Sequence, residues 1–476
     1  MKVIYIASEG APFAASGGLG DVMGALPRAV TEVGGGKVET EVILPLYGSM
    51  KEEYRARLVK EADIRFAYGW RQTGASVFSL TEGGVLYHFI ENHYYFNRQR
   101  LYGEPDDGER FAFFSMAALE FMLATGDIPD VLHANDWQTA MAVIYLKTEY
   151  AHIEAFRRIR TVFTIHNIEY QGKFDPYILG DIFALDAKYY HIVEYEGCIN
   201  LMKGALTVSD YISTVSPNYA CELRHDFFAF GLADIIAKVS DKMCGVINGI
   251  DYTVFSPERG GGIYRPYGRE DLDEGKRANK TALQRELGLA EEPDTPLVVM
   301  ITRLTAGKGV ELVLRILDEL LGEKMQFVIL GTGEAIYESA FSAVASRHPN
   351  MRALIRFDRN LSKKMYAAAD IFLMPSKSEP CGLAQMIACS YGTVPVVRAV
   401  GGLYDSIKPY GSEGANGFTF NNFNAHELLF TLKWALELYR DTSVWAPLRL
   451  AAKDSDFSWD KSAKKYLSLY QNITNW

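Results

Sequence analysis

Cysteine is scarce and scattered. Five thiols, Cys198, Cys221, Cys244, Cys381 and Cys389, make an odd set with no CxxC, which argues against a disulfide framework or a zinc site and fits a reducing cytoplasm. Long apolar runs are also missing: no stretch of about 18 apolar residues occurs, and the opening MKVIYIASEG turns polar too soon for a secretory h-region. A soluble, unanchored chain with no membrane partner is expected. An excess of positive charge is lacking, since 49 basic residues face 59 acidic ones for a net charge of −10. That balance disfavours nucleic acid and anionic membranes as partners, and any anionic ligand must be held by a local cluster. Tandem repeats and low-complexity segments are absent, which excludes a solenoid. No G-x-G-x-x-G with an acidic residue placed for a ribose appears either, so a dinucleotide-dependent dehydrogenase is discounted.

What is present is a chain of 476 residues, 48% of them hydrophobic, too long for one ordinary core and sized for two α/β domains. Strand-like runs alternate with helical ones from the first residue: Lys2 to Ala7 then Asp21 to Val33, Glu39 to Pro45, Arg110 to Thr125 then Val131 to Ala134, Trp137 to Glu149 then Arg160 to Ile165. This is a doubly wound pattern. The order restarts after Asn248-Gly249-Ile250-Asp251, and a Gly, Pro and charge-rich stretch from Glu258 to Pro296 surrounds one helical piece, Lys276 to Leu287. Leu297 to Ile301, Met325 to Leu330, Ala353 to Phe357 and Ile371 to Met374 then read as strands. The boundary is placed near Asn248 to Pro257. The amphipathic tail, Phe457 to Tyr470, predicts a terminal helix, either ordinary or packing back across the junction.

The segment Asp370 to Asp405 says most about chemistry. Its pattern is strand, loop, helix, strand, loop: Ile371 to Met374, a break at Ser376, a helix from Leu383 to Ser390, a β-branched run from Thr393 to Arg398, and Gly401-Gly402. Such a unit places its loops beyond the strand ends, where open parallel sheets bind ligands. Glu379 is placed to accept hydrogen bonds from sugar hydroxyls, and free amides near Gly382-Leu383 suit phosphate oxygens. An acid beside an anion site points to a nucleotide-sugar. Arg303 follows another strand and Lys308 opens the next helix; two such cations can converge on a diphosphate, each pair at about 4 Å gaining roughly 4 kcal/mol at intermediate dielectric before desolvation. As an isolated pair they would equally suit a solvated surface.

Three further features sit where a doubly wound domain builds its binding edge. Ser16-Gly17-Gly18-Leu19-Gly20-Asp21 is a glycine loop opening a helix, a site of close backbone approach and positive partial charge, although alone it suits any tight βα turn. His166-Asn167 and Asp136-Trp137 end strands; with Asn248 they form a short polar set able to read sugar hydroxyls, where a lone His-Asn would more simply be a turn or cap. Between Tyr87 and Tyr102 lie six Tyr and Phe residues, including Tyr94 and Tyr95, with Arg98 and Arg100. Aromatic faces stack on glucose rings. The same segment also fits a strand with a capping loop.

Taken in order, Ser16 to Leu19, His133 to Trp137, His166-Asn167 with Tyr170-Gln171-Gly172, Asn248 to Asp251, Arg303 to Gly309, Glu379 to Leu383 and Gly401 to Leu403 resemble the bacterial glycogen synthases and plant starch synthases over nearly the whole chain. The resemblance implies an α/β fold of GT-B architecture, two Rossmann-like doubly wound domains facing a central cleft. These would be residues 1–250 on the acceptor side and 251–455 on the donor side, with a helix over 456–476 returning to the first domain. It implies a cytoplasmic glycosyltransferase moving glucose from ADP-glucose to the non-reducing end of an α-1,4-glucan, glycogen or a malto-oligosaccharide, with retention, no cofactor and no metal. Arg303 and Lys308 match the pair on the donor diphosphate, Glu379 the acid on the donor glucose, and Cys381, Gly382 and Leu383 the amides holding sugar and phosphate. His166 matches the histidine near the reacting carbon, and Asp136 and Asn248 match groups around the glucose. Ser16, Gly17, Gly18 and Asp21 fall on the donor side, and Glu9, Tyr94 and Tyr95 on the acceptor side. Departures are visible: Ala15-Ser16 stands where many relatives have Lys-Thr, Ala384 where a hydroxyl residue is frequent, and Val400 where Thr is frequent. Ile387 stands where a related motif has a second acid, a habit shared by bacterial glycogen synthases. The departures leave open UDP-glucose as donor, another acceptor, or a poorly active glucan-binding homologue; a glucan phosphorylase would need a lysine-bound pyridoxal phosphate.

Overall fold

The structure is a computed structural model that describes residues 1–259 and 261–475. The chain forms two compact units, one of residues 1–249 with 459–476 and one of residues 250–458. The crossing point falls at Gly249, which has no room for a side chain against Trp459.

The first unit is built on strands β1 (Lys2–Ile6), β2 (Glu39–Pro45), β3 (Val59–Tyr68), β4 (Arg71–Glu82), β5 (Val85–Glu91), β6 (Val131–Asn135), β7 (Arg160–Ile165), β8 (Lys173–Phe174), β9 (Glu194–Tyr195), β10 (Cys198–Asn200), β11 (Tyr211–Thr214) and β12 (Met243–Gly245). Nine of them form one sheet in the order β12-β11-β7-β6-β1-β2-β5-β4-β3, and β8-β10-β9 form a small separate one. From β12 to β5 the pairs are parallel, and β4 and β3 add an antiparallel edge. The central strands are buried on both faces, as in KVIYI of β1 and VLHAN of β6, which is why they read as continuous apolar runs. The β3–β4 hairpin alternates instead: Ile64, Phe66 and Tyr68 point inward while their neighbours face solvent. That alternation, broken by Gly69-Trp70, is the signal that predicts it, and the pattern drawn from apolar runs alone passes over it.

The second unit carries β13 (Leu297–Ile301), β14 (Gln326–Leu330), β15 (Met351–Leu354), β16 (Ile371–Met374), β17 (Val394–Arg398) and β18 (Phe418–Phe420). They form one parallel sheet in the order β15-β14-β13-β16-β17-β18, with its own core including Val298, Ile316, Phe327, Leu373 and Val396. β15 ends earlier than the expected Ala353 to Phe357. Asp358 caps the Arg359–Ala368 helix by accepting from the Leu361 amide, so the chain has already turned and Phe357 is 87% exposed.

Several helices depart from their sequence-based limits: those expected from Arg110 and Lys276 begin at Asp107 and Leu272, and two others differ more. The Trp137 to Glu149 stretch opens as a 3₁₀ turn, Trp137–Thr139, before a helix at Ala140–Lys147. The tail helix runs Trp459–Thr474 and buries Trp459, Ala463, Tyr466 and Tyr470, a helical stripe that joins the first unit's core beside Val3, Tyr5 and Val131. Its Tyr470 hydroxyl bonds His133 Nδ1 at 2.7 Å and the Tyr5 hydroxyl at 2.9 Å.

Candidate functional site

In the second unit the neighbouring parallel strands β13 and β16 release their following loops side by side. Gly309, at φ +71°, lies so close to the Pro375 carbonyl that no side chain fits, and the Lys377 amide donates to Gly307 O at 3.0 Å. The two loops are thereby locked together, and Lys308 Nζ meets Glu379 Oε2 at 2.6 Å. Ser376 Oγ donates to the same carboxylate oxygen at 3.0 Å. Arg303 is exposed, and its guanidinium pairs with no described residue. Glu379 is held from behind as well: the Gly402 amide donates to the carbonyls of Glu379 at 3.1 Å and Pro380 at 3.2 Å, an approach only a glycine permits there. Gly382 has φ +72°, and Cys381 is buried. The helix Ala384–Ser390 starts at Leu383 with no side chain capping it, so its first amides are open to water or a ligand oxygen.

In the first unit, successive parallel strands end at one sheet edge, each with a polar residue. Asp136 follows β6 at φ 56°, ψ 177°, backbone values costly for a non-glycine residue and held only where the surroundings impose them. What imposes them is its own carboxylate: Oδ1 accepts from the His166 amide at 2.8 Å and the Asn167 amide at 3.4 Å, tying the β6 end to the β7 end. Burial pushes the Asp136 carboxyl up to about 7, with those two amides opposing and the Glu9 charge adding. Burial holds His166 down at about 3, so its ring is neutral. His166 Nε2 lies 2.9 Å from Asn135 Oδ1. Asn248 lies beyond β12, buried, with Oδ1 unpartnered; it shares the strand-end edge with Asp136 and His166 but, among the described residues, bonds to neither.

The glycine loop is tied differently. Glu9 Oε2 accepts from Ser16 N at 2.5 Å and Ser16 Oγ at 2.8 Å, while burial raises the Glu9 carboxyl, the Ser16 bonds oppose and Asp21 adds to the rise. Ser16, Gly17, Gly18 and Asp21 are exposed, and the helix begins at Gly18, one turn before its expected start. Tyr102, beside this loop, bonds Ser8 Oγ at 2.8 Å.

The aromatic segment divides. Tyr94 is 69% exposed, whereas Tyr95 is 7% exposed, with its hydroxyl on Glu109 at 2.8 Å and its ring 4.7 Å from that of Phe113. Tyr95 is therefore a core ring; Asn92 caps the single turn His93–Phe96 and rotates it inward. Ser376 and Asn135 are the partners that sequence reasoning passes over. Asn135 precedes Asp136 as the last residue of a buried strand, a position where a polar side chain requires a partner, and that was its available signal.

Comparison with known proteins places the chain in a family. The family described as starch synthase catalytic domain matches residues 2–238, and glycosyl transferases group 1 matches residues 283–446. The glycogen synthase of Geobacillus thermodenitrificans (strain NG80-2) is 43% identical over 478 residues, covering 99% of this chain and 98% of the relative. That of Bacillus subtilis (strain 168) is 43% identical over 480 residues, covering 100% and 98%. Among solved structures, the catalytic domain of Starch Synthase IV from Arabidopsis thaliana, bound to ADP and acarbose, superposes with a TM-score of 0.91 at 34% identity, covering 100% of this chain and 99% of that one. The α/β fold with its parallel sheets is that of the GT-B glycosyltransferases, and the chain belongs to the glycogen synthase and starch synthase family, enzymes that take a nucleotide-sugar donor and a glucan acceptor.

Proposed function

We propose that the chain transfers glucose from ADP-glucose to the non-reducing end of an α-1,4-glucan, glycogen or a malto-oligosaccharide, with retention at the anomeric carbon and without a metal or other cofactor. The observation that carries this reading is the Lys308–Glu379 pair, 2.6 Å apart, beside the exposed Arg303. An arriving diphosphate offers Lys308 a second anion and Arg303 a first one, which frees Glu379 to accept hydrogen bonds from the sugar. The Arabidopsis starch synthase domain is bound to ADP, which favours the adenine nucleotide. As the C1–O bond to the diphosphate breaks, its electron pair goes to the phosphate oxygen, where Arg303 and Lys308 stabilise the developing charge. The glucan hydroxyl bonds C1 from the same face and passes its proton to that oxygen. The amides of Cys381, Gly382 and Leu383 serve the phosphate and sugar. Asp136, His166 and Asn248 are assigned to sugar hydroxyls, Ser16, Gly17, Gly18 and Asp21 to the donor side, and Glu9 and Tyr94 to the acceptor.

Among the described residues no helix is long and apolar enough to cross a membrane, and the proposed place of action is the cytoplasm. The test incubates the purified chain with ADP-glucose or UDP-glucose, with and without glycogen. Glycogen-dependent release of ADP with new α-1,4 linkages is expected; a preference for UDP-glucose, or release indifferent to glycogen, would overturn the assignment.

A further inference from the structure

Asn135, the last residue of β6, is 1% exposed, yet every polar atom of its side chain is engaged. Its Nδ2 donates to Ile6 O and His133 O, both at 3.2 Å. Two carbonyls accept there, so the amide cannot be turned over: the reverse orientation would set its own carbonyl against both. Oδ1 is thereby fixed towards His166 Nε2 at 2.9 Å. A carbonyl oxygen only accepts, so Nε2 must carry the hydrogen. His166 Nδ1 then bears the lone pair, and it has no hydrogen-bond partner among the described residues, on a side chain that remains partly exposed. The main chain of His166 is held by Asp136 Oδ1, so both ends of the residue are set by the β6 terminus.

We propose that Asn135 is a positioning residue that holds His166 with Nε2 protonated and Nδ1 bare, making the ring a fixed hydrogen-bond acceptor for a sugar hydroxyl rather than a proton donor. Its bearing on catalysis rests on the reading of His166 as substrate-facing, but the ring state itself does not. The other titratable groups around the ring are Asp136 and, on the flanking strand, His133; Tyr219 bonds the Ile168 amide nearby at 3.2 Å. Burial keeps the ring uncharged, in agreement with the geometry.

The test reads the ring nitrogens directly, by long-range proton–nitrogen spectra of the full chain labelled with ¹⁵N, with His166 assigned through the signal lost in His166→Gln. The expected pattern in the unaltered protein is one protonated and one bare nitrogen, Nε2 and Nδ1 respectively, constant from pH 6 to pH 9; a protonated Nδ1, a charged ring or a tautomer average would overturn the proposal without any variant having to fold. In Asn135→Asp the new carboxylate should raise the His166 pKa from about 3 by about 1 to 3 pH units, so spectra extended below pH 6 should show the His166 signals titrating at higher pH than in the parent, while the His88 titration is the same in both proteins. In Asn135→Leu the signals should move towards a tautomer average, with kcat/KM for the glucan falling about tenfold or more and the melting profile serving as control. Signals unchanged in both folded variants would refute the role of Asn135. Shifted signals with unchanged kcat/KM would instead sustain the ring assignment and remove His166 from the transfer step.

Discussion

At the scale of single residues the proposed donor-side chemistry reduces to one ammonium and one carboxylate in contact. Lys308 and Glu379 sit 2.6 Å apart with side-chain exposures of 20% and 10%, so neither is buried deeply enough to be a core ion pair and neither is free. Lys308→Ala should lower turnover with ADP-glucose on the order of a hundredfold or more, the usual loss for one aimed charge; single-turnover rates near those of the parent would remove Lys308 from the leaving-group role. Asp136 allows a test of opposite sign. Its carboxyl rises from 3.8 to about 7, so the folded state holds a proton that the unfolded chain releases, and the stability this contributes is present at pH below 3.8 and lost as pH rises through about 7. Asp136→Asn keeps the acceptor for the His166 amide without the charge, and Asn tolerates positive φ well. Its melting temperature should therefore exceed the parent's by a margin that widens from pH 5 to pH 8, while activity falls; a constant margin across that range would contradict the proposed titration. Stability gained and activity lost at one strained residue is what a functional constraint produces.

At the scale of elements, legibility follows burial. β1, β6, β13 and β16 show in the chain because both their faces are covered and nearly every residue is apolar. β3 and its neighbour β4 do not, because β3 is an edge strand that exposes alternate residues, Lys60 and Arg65 among them, and β4 is likewise covered only at alternate residues; β15, at the other unit's edge with Arg352 on it, shows only with shifted limits. The site divides the same way: Glu379, Lys308, Asp136 and His166 are legible from their places just beyond strand ends, whereas Ser376 and Asn135 acquire meaning only from partners in other segments. The strands β1, β2 and β5, with β3, also carry a partly buried charge network that no local pattern announces. Lys2 on β1 meets Glu41 on β2 at 2.6 Å and Asp127 at 2.5 Å, and His88 on β5 lies between Glu41 at 3.0 Å and Glu61 on β3 at 2.7 Å. Glu41, His88 and Asp127 have the spacing of metal ligands, but the cations among them are the Lys2 ammonium and the His88 ring. Burial opposes the His88 charge, yet Glu41 and Glu61 outweigh it and raise the ring to about 9. Burial likewise opposes the Glu41 charge, and His88 and Lys2 outweigh it to bring the carboxyl down to about 2. The His88 contribution is fully present below pH 6.5 and lost as pH rises through about 9; the Glu41 contribution is present above pH 4.5 and lost as pH falls through about 2. His88→Gln should thus cost on the order of 3 kcal/mol between those limits, and the deficit in denaturant midpoint should shrink above pH 9. A deficit that does not change with pH would show the ring to be packing only.

At the scale of the whole molecule the chain is discontinuous in a particular way: it leaves the first unit at Gly249 and re-enters it at Trp459. The returning helix is part of that unit's core, since Trp459, Tyr466 and Tyr470 pack among residues of β1, β2 and the Gly18–Val33 helix. Its last anchor is polar, because Tyr470 is fully buried and its hydroxyl serves both His133 Nδ1 and the Tyr5 hydroxyl. His133 in turn bonds Thr164 on β7 at 2.5 Å, so the tail reaches by hydrogen bonds the two strands whose ends carry Asp136 and His166. Tyr470→Phe removes one hydroxyl and leaves two buried partners unmet, which should cost about 1–3 kcal/mol each. A chain ending at Ser458 removes the whole apolar stripe as well, and its loss should fall on one unit. Differential scanning calorimetry with limited proteolysis separates the outcomes. The expected result is a lowered transition and early cleavage within residues 1–249, with the fragment 250–458 as resistant as in the parent. Equal loss in both units would mean that the tail stabilises the chain as a whole and that its bonds to Tyr5 and His133 are incidental.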